Sequence, residues 1–200
     1  MKPATVVLAA AALSALSGCT SVSSNYTADM KPVSSSLVVC HGFNCYNKTT
    51  LQLTAADESR FASIMARGKA SPQAERSAVS AALQYFEDRA GQRIGIRDEP
   101  KSDLTQSGRM GQMDCIDEST NTRTLMLYLA RRGLITHHTV GTNVSRGAFV
   151  DGRYPHSTAV LHEKAGGRQW AVDSWYEPMG GPPDIMPLSE WKSRGVMGER

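Results

Sequence analysis

Residues 114–133 read DCIDESTNTRTLMLYLARRG. Asp114 can accept the free amides of a helix start, Asp117 stands at the third helical position, and Leu125, Leu127, Leu129 and Ala130 supply the apolar residues of its second half. Arg132 followed by Gly133 closes it. The predicted helix therefore begins on Cys115, and a thiol at that position meets unsatisfied amides and the positive end of the helix dipole, a setting that favours thiolate over thiol.

Upstream, Thr54 with Asp57 three residues on opens a helix carrying Phe61, Ile64 and Met65, closed at Gly68. Ser71 and Pro72 open a second one, with Ala78, Ala82, Tyr85 and Phe86 on one face and Gly91 as its stop. Both are expected to pack on the core without carrying chemistry. Residues 97–113, broken by Pro100, Gly108 and Gly111, read as a loop.

After Gly133 the period becomes two. Residues 134–144 form a candidate strand, and 157–163 and 168–176 flank the turn Lys164–Gly167 as an antiparallel hairpin. An even-length loop puts His156 and Asp173 on one face, with Asp173 opposite Thr158 and one diagonal step from His156. From Glu177 onward the prolines and glycines imply an irregular closing segment, with Trp191 tucked back. The elements add up to an α+β class, with N-terminal helices and a central nucleophile-bearing helix packed on an antiparallel sheet.

The first nineteen residues, MKPATVVLAAAALSALSGC, put Lys2 ahead of an apolar run too short to span a bilayer, and that layout is an export signal. Leu16, Ser17, Gly18 and Cys19 resemble the processing site of bacterial lipoproteins, whose cysteine carries the lipid. Residues 1–18 are then a signal peptide, 19–36 a lipidated, Ser/Thr-rich tether, and 37–200 one domain. Thr20 in place of Asp favours, by the same resemblance, the outer membrane facing the periplasm. The net charge of +3, with 22 basic and 19 acidic residues interspersed, offers no cationic stripe for nucleic acid.

Of four cysteines, lipidation takes Cys19. Cys40 and Cys45 can pair across the turn-forming CHGFNC, which leaves Cys115 free in an oxidising compartment. A bridge from Cys115 to Cys40 or Cys45, or an inert buried Cys115, are the alternatives. His162 shares the face of His156 but sits roughly 20 Å along the strand. Asp151 and Asp184 suit turn or capping roles. His137 and His138 are adjacent on a candidate strand and would point to opposite faces, so a metal site with Cys115 has no spacing to support it, and no metal or other cofactor is expected.

The blocks MDCIDEST, YPHSTAVLHE and RQWAVDSWYEP resemble the Cys, His and Asp blocks of the transglutaminase-like superfamily over roughly residues 105–178. The resemblance implies a papain-like fold with Cys115 as nucleophile, His156 as base and Asp173 as the carboxylate that orients it. Asp117 matches an acidic position common in bacterial members. The Cys115 N–H is an oxyanion donor, with Gln112 or Gln106 as a second candidate. Ile116 stands where animal transglutaminases have tryptophan, which points away from protein cross-linking and towards a cysteine peptidase or amidase acting on an envelope peptide or protein. A transglutaminase and a non-catalytic binding lipoprotein are the alternatives.

Overall fold

The computed structural model describes residues 35–101, 104–148 and 150–195. The export signal, Cys19 and the tether up to residue 34 lie outside the described residues. Among these residues no helix is long and apolar enough to cross a membrane.

The chain opens with a hairpin, β1 (Ser36–His41) and β2 (Asn47–Gln52), paired from Ser36↔Gln52 to His41↔Asn47. Ser36, read as the last tether residue, is thus the first of β1. Neither strand was legible as such: β1 is a short apolar run buried almost throughout, and β2 is a polar stretch in which Leu51 alone is buried. Helix α1 (Ala55–Ala66) follows with a complete Thr54–Asp57 capping box, a device worth about 1 kcal/mol. Phe61, Ile64 and Met65 are its buried apolar residues, and a 3-10 turn over Arg67–Ala70 leads out of it.

Helix α2 (Pro72–Ile94) is capped by Ser71 and runs past the expected stop at Gly91 to Gly95, which takes the left-handed conformation at φ 71°. Gly91 has another use. A Cβ there would meet the Ile96 carbonyl oxygen at 3.1 Å, so the missing side chain lets the chain fold back past the helix.

Helix α3 (Cys115–Arg131) lies at the centre. Leu125, Met126 and Leu129 join the core, which also holds Phe61, Leu83 and Phe86 from the other helices and Ala159, Leu161 and Val172 from the sheet. Its first half is buried although polar, including Asp117, Glu118, Asn121 and Thr122. Most groups of that kind are hydrogen-bonded when buried.

The second sheet is antiparallel, ordered β3 (His138–Val140), β5 (His156–Glu163), β6 (Gln169–Asp173), β7 (Asp184–Pro187), with β4 (Val144–Arg146) also on β5. The strand expected over 134–144 is therefore two short pieces, β3 and β4. Between them the main chain passes so close to the His162 ring that a Cβ on Gly141 would lie 2.5 Å from its Nε2. The closing segment is less irregular than its prolines suggest: residues 184–187 pair with β6, and α4 (Leu188–Ser193) buries Trp191.

Candidate active site

Cys115 is the first residue of α3. The Asp114 carboxylate accepts the N–H groups of Ile116 at 3.1 Å and Asp117 at 2.9 Å, and the Asp114 carbonyl accepts that of Glu118 at 3.0 Å. The first-turn amide left without an acceptor among the described residues is that of Cys115 itself.

His156 opens β5 and Asp173 ends β6. The strands pair from Ala159↔Val172 to His162↔Gln169, so the side chains of His156 and Asp173 share a face. His156 Nε2 lies 2.7 Å from Asp173 Oδ2, and both residues are buried, at 2% and 3% exposure. The same oxygen accepts the Trp191 indole N–H at 2.6 Å. An indole N–H only donates, so Oδ2 is an acceptor, and the Nε2 position of His156 carries the proton. Nδ1 is then the basic nitrogen, and it is buried without a partner. Trp175, Tyr176 and Trp191 surround the ring at centroid distances of 4.8, 5.4 and 5.6 Å.

The backbone N–H of Ser157, the residue after His156, faces the Cys115 sulfur and favours its thiolate. Thiol and imidazole thus stand on neighbouring positions of α3 and β5. The thiol is not the poised thiolate expected from its place on the helix. Burial pushes it up, and the charges of Asp114, Asp173 and Asp117 add to that, with the Ser157 N–H acting the other way. Burial is the larger cause; beside it, the carboxylates that cap the helix put negative charge where the bare dipole would favour a thiolate.

A disulfide joins Cys40 and Cys45, leaving Cys115 as the free cysteine. Gly42, Phe43, Asn44 and Cys45 all have positive φ, between 54° and 85°. Such a run turns successive amides into one concave anion site. Phe43 and Cys45 donate to Asp117 at 2.8 and 2.6 Å, and Asn44 donates to Asp114 at 3.0 Å. The disulfide loop is therefore fastened to the start of α3, and this is what Asp117 does. Burial and the neighbouring Asp114 push the Asp117 carboxyl up to about 8, against the pull of those amides. The sulfurs of Cys40 and Cys45 also lie near the Asp117 carboxylate, but each is already bonded to the other.

Gln112 takes a different part from the one expected of it. Its Nε2 donates to the Arg97 carbonyl at 2.7 Å, its Oε1 faces the Glu99 N–H at 3.5 Å, and its own carbonyl accepts Gly42 N–H at 2.6 Å. It pins the 97–112 loop. Gln106 lies on a 3-10 turn, Leu104–Gln106, with Oε1 buried and unpartnered. His162 touches Gln169 at the far end of β5, and Asp151 accepts the amides of Ala148 and Arg153 as a turn residue. His138 is bonded to Glu75 at 2.9 Å and His137 to the Lys69 carbonyl at 3.0 Å, so neither joins Cys115. Asp184 is on β7, directly across from Asp173.

Behind the site lies a buried acidic group. Ser174 Oγ donates to Glu118 at 2.5 Å, Met113 N–H to Asp98 at 2.6 Å and Gly180 N–H to Glu87 at 2.7 Å. Burial pushes Glu118 well up and Glu87 up to about 8, and both also feel the charge of Asp98.

No protein-family model, no curated protein and no solved structure matches the chain.

Proposed function

We propose that this protein is a cysteine-dependent acyl-transfer enzyme of the transglutaminase-like, papain-type class, working as a peptidase or amidase on a peptide of the bacterial envelope. The observation that carries the reading is the His156–Asp173 pair at 2.7 Å, whose free Nδ1 is the basic nitrogen, beside a helix-opening thiol that faces the next backbone amide along the same strand. The resemblance of the three sequence blocks, in the same order, supports it. Under the same proposal the chain is lipid-anchored at Cys19 and sits at the outer membrane facing the periplasm.

In this mechanism substrate binding excludes water, and the Cys115 proton passes to His156 Nδ1 as the sulfur attacks the amide carbon. A resting thiol fits a sulfur pushed up by burial and carboxylates. The Cys115 N–H meets the developing oxyanion. Collapse of the adduct expels the amine, which takes the proton back from His156, and leaves a thioester on Cys115. Water resolves that thioester to a carboxylic acid; an amine in its place would make the reaction a transamidation. Asp173 holds the ring in the tautomer this needs and stabilises the imidazolium.

A second reading, a non-catalytic envelope lipoprotein using the fold as a scaffold, draws on the same raised thiol. One experiment separates the readings. The purified full chain and Cys115→Ala are incubated with a complex peptide library, with and without a primary amine, and new termini and amine adducts are read by mass spectrometry. New termini from the native chain alone support the peptidase, amine adducts the transamidase, and neither product the scaffold.

A further inference from the structure

Asp173 is held by more than the imidazole it orients. Its Oδ2 takes two donors, His156 Nε2 at 2.7 Å and Trp191 Nε1 at 2.6 Å, whereas among the described residues Oδ1 has only the Trp175 amide at 3.4 Å. Trp191 comes from α4, outside the three sequence blocks, and is 1% exposed.

The indole is anchored in turn. The Arg146 guanidinium lies 4.2 Å from the Trp191 ring centre, and its NH1 donates to the Trp191 carbonyl. Its NH2 donates to the Tyr176 hydroxyl at 2.9 Å. Arg146 is the cross-strand partner of His156 in the β4–β5 ladder, so one buried cation is tied both to the strand position of the base and to the residue that grips its carboxylate. Its hydrogen bonds among the described residues go to the Trp191 carbonyl and the Tyr176 hydroxyl, not to a carboxylate, and its Nε is buried without a partner. Burying a guanidinium without a counter-ion is costly, so its use here calls for a local return. Gly195, at φ 86°, makes the fit possible: a Cβ there would meet the Arg146 guanidinium at 3.0 Å.

We propose that Trp191, anchored by Arg146, is a positioning residue that fixes the Asp173 carboxylate and thereby holds His156 in the Nε2–H tautomer. This rests on the reading of His156 as the base. Without the indole, Oδ2 keeps one strong donor, and the buried carboxylate is free to turn about its own axis. The imidazole is then left with a loosely placed acceptor to select between its two tautomers. The C-terminal helix is on this basis part of the catalytic assembly and not a cover for the sheet.

The test is nitrogen-15 NMR of histidine-labelled full chain. The native protein should show His156 as the Nε2–H tautomer with a proton protected from exchange. In Trp191→Phe the population should move towards Nδ1–H, and the Nε2 proton should exchange at least about tenfold faster, as loss of a bond to a charged group entails. Trp170→Phe removes an indole donor of the same kind, which goes to Glu163 at 3.0 Å, and should leave the His156 signals unchanged. Arg146→Gln should give the Trp191→Phe change at smaller amplitude. A folded Trp191→Phe with native tautomer and exchange rate overturns the proposal. Should that variant not fold, unchanged His156 signals in Arg146→Gln overturn it instead. These signals do not depend on turnover, so a protein that proves inactive on peptides would defeat the proposed function and leave this inference standing.

Discussion

The backbone N–H of Ser157 faces the sulfur of Cys115 and favours its thiolate. The helix-borne thiol thus lies against the strand that begins with His156, but one amide does not outweigh burial and three carboxylates. Alkylation of Cys115 in the free protein should therefore follow a pH profile whose midpoint lies above the value near 8.5 of an ordinary cysteine. Asp114→Asn removes the nearest of those charges and should move the midpoint down. Rates of iodoacetamide labelling, followed by intact mass between pH 6 and 11, measure both.

Gln112→Ala should leave Cys115 chemistry within about twofold of native, because the side chain serves the 97–99 backbone. The change should appear elsewhere, as faster cleavage of the 97–112 loop in limited proteolysis. A large fall in thiol reactivity with the loop intact would return Gln112 to the site.

The Cys40–Cys45 bridge closes a short loop, for which chain-entropy reasoning gives a stabilisation of about 2 kcal/mol. Cys40→Ser with Cys45→Ser should lower the melting temperature by several degrees. Because the loop amides grip Asp114 and Asp117, it should also raise amide exchange in the first turn of α3 more than in its last. Uniform destabilisation along the helix would contradict the clamp.

Much of this was legible in the chain. The cap at Asp114, the helix opening on Cys115 and the parity that puts His156 with Asp173 are local rules, and each is met in the structure. The β1–β2 hairpin was not legible, since β2 has little apolar signal and its pairing is decided by contact with β1. Gln112 looked suitable by composition and position, yet its amide direction is set by the fold of residues 97–99. The second donor on Asp173 was also hidden: a tryptophan eighteen residues away carries no local pattern that says which oxygen its N–H will meet. The raised thiol was missed for a related reason, because the dipole argument counted the helix start and left out the burial of the sulfur and the charge of the helix's own caps.

The buried acids behind the site set a pH dependence of stability. Glu87 titrates near 8 when folded and near 4.5 when unfolded, so its folded form is favoured when neutral. Its contribution is fully present below about 4.5 and is lost as pH rises to about 8. Glu118 is shifted in the same direction. Melting temperature should therefore decline across that window. Glu87→Gln, which stays neutral, should flatten the decline and melt a few degrees above native at pH 8.5. An unchanged slope in that variant would remove Glu87 as its cause.

The central claim is that His156 acts as base for Cys115. The most direct measurement is the rate at which iodoacetamide modifies Cys115 at pH 7 in the native chain, compared with His156→Ala under the same conditions. General-base assistance is worth on the order of a hundredfold or more. A fall of that order in His156→Ala, with the protein still folded, is the result expected here; equal rates in the two proteins would contradict the account.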